Sequence, residues 1–156
     1  MHPTAGTPAF DSVFLAAQAF VVLFLLVHDW VPLGRLSNFT AKRDADPLAN
    51  RIFVTLLPAV PAGLGLYFCA KNFAHAYPPG VLILLWITYG SFLFGILRAW
   101  WVPYLLVPDP ERAARYKEIF AGTHRFLPER NGIAPDTLHT IFHGVTLAVV
   151  MMLALR

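Results

Sequence analysis

Four long apolar blocks run along this chain, separated by polar stretches. The first extends from about Ser12 to Leu33, with an unbroken apolar run from Leu23 to Val27. The second covers about Ile52 to Phe73, the third about Val81 to Leu106, and the fourth about Pro135 to Leu155. A membrane-crossing helix needs about 20 mostly apolar residues, and each block meets that length. The expectation is an all-α integral membrane protein, a four-transmembrane-helix bundle forming a single domain over residues 1–156.

Composition agrees with lipid as the surrounding solvent. Hydrophobic residues make up 57% of the 156 and charged residues 13%, against about 45–50% and about 25% in soluble domains. That balance excludes a disordered chain, a collagen-like repeat and an ordinary cytosolic enzyme. A lone cysteine, Cys69, excludes a disulfide scaffold and any multi-cysteine metal or iron–sulfur site. No Lys or Arg precedes Arg35, so the first block lacks the basic segment of a secretory signal and reads as an uncleaved helix.

Of the 12 Lys and Arg, all but Lys71 and Arg156 lie in or beside the two long inter-helix loops. The positive-inside rule therefore places both long loops in the cytoplasm and both termini outside, as in a small bacterial inner-membrane protein. Trp30, Trp100, Trp101 and Tyr104 would mark the cytoplasmic boundary, Tyr67 and Tyr77 the outer one. The net charge of +3 is then a topology signal, supplemented by contacts to anionic lipid, and calls for no nucleic-acid partner.

Small residues supply the close contacts that helices need in lipid. Ala59, Ala62, Gly63 and Gly65 do so in the second block, beside Pro58 and Pro61, and Gly90, Ser91 and Gly95 in the third. Within the last long loop, Asp109 can cap a helix, Pro110 suits its first position, and Ala113, Tyr116 and Phe120 share one face. This predicts a short cytoplasmic amphipathic helix over about 110–121, lying as a lid on the bundle end, with Gly122 as its terminator.

Chemistry concentrates near the cytoplasmic boundary. In the fourth block Asp136, His139, Thr140, His143 and Thr146 share one helical face, which puts the two histidines about 6 and about 12 Å along the helix. His28 and Asp29 leave the first block at a similar depth, and Gln18, Val22, Leu25 and Asp29 form a protein-facing stripe. Thr88, Ser91, Gly95 and Arg98 make another stripe in the third. The expectation is that His28 or Asp29, Arg98 and the His139/His143 pair converge. Ionisable groups at membrane depth are costly unless paired or hydrated, so the cluster requires a role.

Several roles fit these residue types. An Asp29–Arg98 ion pair would fix helix register. Alternatively, His28, His139 and His143 are candidate ligands for a single metal ion, or a histidine pair for one haem. The residues between His139 and His143 include no glutamate of the HExxH type, so zinc hydrolysis is poorly served. A third arrangement uses Asp29, Arg98, Thr140, Arg125 and Arg130 as a pocket for an anionic ligand or lipid headgroup. No nucleophile–base pair, phosphate-binding glycine loop or dinucleotide fingerprint is present. Two function classes follow. One is a non-enzymatic accessory subunit or binding protein working with other membrane subunits or a second copy of itself. The other is a metal- or haem-binding redox protein or enzyme acting on a lipid or quinone.

Overall fold

The computed structural model describes residues 6–156. Its long helices are α1 (Pro8–Val27), α3 (Leu48–Lys71), α4 (Pro79–Ile96) and α7 (Thr137–Ala154). A π-helical segment (Leu97–Trp101) and the short α5 (Val102–Leu105) extend α4, so one continuous rod runs Pro79–Leu105. Two further helices, α2 (Phe39–Ala45) and α6 (Pro110–Ile119), lie in the long loops. The four long helices are each long and apolar enough to span a membrane.

Local chemistry sets the helix starts. Thr7 caps α1 by accepting from the backbone N–H of Phe10, and Pro8 fills the first turn, where a missing N–H costs nothing. The first span therefore begins at Pro8, ahead of the Ser12 expected from hydropathy, and ends at Val27 instead of Leu33. Its early start draws Asp11 into the helix, fully buried. Asp109 and Asp136 cap α6 and α7 by accepting from Arg112 N–H and His139 N–H. Asn38 caps α2 in the same way through Ala41 N–H. α3 runs through Pro58 and Pro61 without interruption.

α1 packs against α3 and α7, and α4 packs against the same two, giving a square bundle with α1 and α4 on one diagonal. Its centre is filled by Phe14, Val21, Ala62, Leu85, Tyr89 and Val149, all fully buried. The outward faces carry Leu23, Phe53, Leu57, Ile87, Phe94 and Met151, all exposed. Outward apolar faces of this kind match a hydrocarbon surrounding or other apolar helices. Both long loops gather at one end, called here the long-loop end, and residues 72–78 turn at the opposite, short-loop end.

The lid is fastened by a proline. Pro103 has no N–H, so the Ala99 carbonyl loses its usual helical partner. The rod responds with a π turn, in which Val102 N–H bonds Leu97 O. Ala99 O accepts instead from Arg112 Nη1 (3.3 Å) and Tyr116 Oη (3.2 Å), both on α6. Trp100 packs against Tyr116 and Phe120 with its ring tilted to both. The chain then turns through Asn131 and Gly132 between the bridged Arg130 and Ile133. Gly132 takes φ +75, and a Cβ there would stand 3.0 Å from the Ala113 Cβ of α6.

Candidate functional site

Between α6 and the bundle end lies a cavity of about 600 Å³. His28 and Asp29 reach it from the end of α1, Lys42 from α2, Arg51 and Val54 from the start of α3, and Trp100 from the π segment. Arg112 and Tyr116 of α6, with Phe120 just past its end, form its cover, and His139 of α7 closes the inner wall. A cleft of about 300 Å³ continues from it between α3 and α4. The two share His28, Asp29, Val54, Trp100 and His139, and the cleft adds Phe24, Gly95, Ile96, Phe142 and His143. One space is ringed by charge and the other by apolar and aromatic groups.

The inner wall is an aromatic stack. Phe24 lies between His28 and Phe142, with ring centroids at 4.2 and 4.1 Å. His139 meets Trp100 at 5.1 Å, Phe120 at 5.1 Å and His28 at 5.6 Å. His139 Nδ1 is 2.7 Å from Asp136 Oδ2, so the ring is oriented by a buried carboxylate and its Nε2 is left for the cavity. Burial pushes Asp136 up, but the His139 hydrogen bond and charge, with help from Lys42, outweigh it and hold the carboxyl below its ordinary range. His143 is buried, and its Nδ1 has no hydrogen-bond partner.

The electrostatic centre is Asp29. Its Oδ1 accepts from Lys42 Nζ at 2.8 Å and its Oδ2 lies 3.0 Å from His28 Nε2. Burial again works upward on this carboxyl, and the bonds and charges of His28 and Lys42 override it, holding it well below the usual carboxylate range. Arg51 Nη2 donates to the Asp29 backbone carbonyl at 2.6 Å, and its guanidinium lies 4.5 Å from the Trp30 ring centroid.

The structure thus brings His28, Asp29, His139 and His143 together, and separates the arginines. Arg98 makes no pair with Asp29, because Lys42 occupies that position. Ser91, Gly95 and Arg98 share an outward face of the rod while Ile96 and Trp100 turn inward, so Arg98 is exposed, where its charge acts on Asp109. Arg125 and Arg130 are also exposed and line neither space, and Arg125 lines a small crevice beside Glu129. Thr140 Oγ1 donates to the Asp136 carbonyl of its own helix.

Ligation is poorly served by these donors. His28 Nδ1 lies 2.8 Å from the Phe24 carbonyl and its Nε2 faces Asp29, so both nitrogens are engaged. Among the described residues no three His, Cys, Asp or Glu side chains are grouped to hold a metal ion. With His28 committed, the described pair His28/His139 offers no free axial nitrogen from α1 to a haem.

Lys42, Arg51 and Trp100 are the wall residues that pattern reading passes over. The signal for Lys42 was local: Asn38 as cap, followed by a helix-compatible run ending at Pro47. Arg51 looked like one more topology charge, and Trp100 like a boundary aromatic. In comparisons with known proteins, no family model matched the chain, nor did any curated protein or solved structure.

Proposed function

We propose that this chain is a membrane-embedded, non-enzymatic binding protein for an amphiphile dissolved in the bilayer. The polar head sits in the charged cavity under α6, and the hydrocarbon lies in the cleft between α3 and α4. The observation that carries the reading is the shared wall of His28, Asp29, Val54, Trp100 and His139, which joins a polar chamber to an apolar lateral one. The combined dimensions fall in the range of small-molecule sites, about 300–1,000 Å³.

Gly95 gives a direct test. It lines the cleft, and a Cβ built on it meets nothing within 4 Å, so a large side chain there fills the cleft before it disturbs the bundle. Native mass spectrometry of protein gently extracted from its own membrane should show a bound amphiphile, lost in Gly95→Phe. Bare wild-type protein, or a Gly95→Phe variant that keeps the same adduct, overturns the reading.

A second reading is favoured by the Asp136–His139 pair. A histidine oriented at Nδ1 by a carboxylate, with Nε2 toward a cavity, is the arrangement of a general acid–base group. Chemical change of the bound amphiphile that stops in His139→Gln while binding persists would make the protein an enzyme acting on a lipid or quinone.

A further inference from the structure

Arg51 is the buried cation in the cavity wall whose charge the described residues leave unmatched. Its residue is 8% exposed, its Nε is buried without a hydrogen-bond partner, and Nη2 spends one donor on a backbone carbonyl. No carboxylate among the described residues lies within ion-pair distance of it. The Asp29 carboxylate is already taken by Lys42 and His28. Across the cavity Arg112 pairs with Asp109 and Arg115 with Asp46. The Trp30 face, with the Phe39 ring at 5.7 Å, offers partial compensation and no counter-charge. Glu111, on the rim, is likewise without an ion pair among the described residues, but it is exposed and water can solvate it.

A guanidinium presents five N–H donors in a fixed fork that matches oxyanions, and burying one without a counter-ion is unfavourable. A ligand that brings a negative charge resolves this. A neutral head leaves it standing. Lys42, 9% exposed and 5.2 Å from the Phe120 ring centroid, adds a second buried cation on the same wall.

We infer that the head group taken by the cavity is an oxyanion, a phosphate ester or its equivalent, seated on the fork of Arg51 beside Lys42, with its hydrocarbon passing Val54 into the cleft. This rests on the amphiphile reading above. It also replaces the basic residues expected from sequence, Arg98, Arg125 and Arg130, with Arg51 and Lys42.

The test is a native mass spectrometric titration of the full chain in neutral detergent. Three probes are used: phosphatidic acid, diacylglycerol with the same acyl chains, and inorganic phosphate. Phosphatidic acid should bind at least about tenfold more tightly than diacylglycerol, the scale of a charge-assisted hydrogen bond. That preference should collapse in Arg51→Gln and return in part in Arg51→Lys. Equal binding of the two lipids overturns the oxyanion and leaves the amphiphile reading intact. Inorganic phosphate binding as tightly as phosphatidic acid keeps the oxyanion at Arg51 and overturns the amphiphile. If neither lipid binds, both fall. Should Arg51→Gln fail to fold, the wild-type comparison of the two lipids decides alone.

Discussion

The two ends of the bundle solve the same electrostatic problem in opposite ways. At the short-loop end Asp11 of α1 pairs with Arg156, and both side chains are sealed, at 0% and 3% exposure. The guanidinium lies 3.9 Å from the Tyr77 ring centroid, and the second carboxylate oxygen accepts from Ala74 N–H at 2.7 Å. That bond holds Ala74 at a φ of 59, a left-handed conformation unusual for alanine. At the long-loop end Asp29 is equally well partnered, yet it borders an open chamber and leaves a neighbouring guanidinium in excess. A sealed pair with no adjoining space holds a fold together. A pair beside a cavity, with a donor to spare, is what the proposed binding role requires.

The strongest way to break this contrast is at the sealed end. Asp11→Ala should cost about 3–5 kcal/mol, because it leaves Arg156 buried and uncompensated. Replacing both partners, Asp11→Leu with Arg156→Met, should recover most of that loss, as read by thermal unfolding in detergent. An equal cost for the single and double variants would show that the ion pair itself is the net source of stability.

At the open end Asp29→Asn should cost less, about 1–3 kcal/mol, by leaving Lys42 with a weaker acceptor. It should also change the response to acid. Asp29 and Asp136 both titrate below their unfolded values, so the folded state binds fewer protons than the unfolded one. Their contribution is complete above about pH 4 and is lost as pH falls through that value toward the folded pKa values. Unfolding followed between neutral and acid pH should therefore be steeper in the wild type than in Asp29→Asn; identical slopes would remove Asp29 from the account.

The smallest effect is expected at His143. Its Nδ1 is buried without a partner, so His143→Leu should change stability by no more than about 1 kcal/mol, in either direction. A large loss would reveal a partner for that nitrogen and make His143 part of the structural frame.

What the sequence disclosed follows from how far each signal reaches. The four apolar blocks, the Asp109–Pro110 helix start and the shared face of Asp136, His139 and His143 are short-range patterns, and each appears at nearly its expected place. Pairings across the chain left no such trace. Asp11 and Arg156 stand near opposite ends of the sequence, and Lys42 reaches Asp29 only because α2 folds back over the bundle end. Arg98 was misplaced for a local reason: its stripe partners Ser91 and Gly95 are already exposed in the regular part of α4, and small or polar residues at helical spacing do not by themselves say whether their face turns inward or outward. Hydropathy also stopped short of Asp11, since a window average penalises the very charge that the fold buries.

The Ala99 carbonyl has a mechanical consequence. Because α6 hangs from an acceptor inside the α4 rod, the cover cannot lift away without stranding that carbonyl and parting Trp100 from Tyr116. Lid and wall are therefore joined as one piece. Any opening of the chamber that spares these bonds leaves the roof in place.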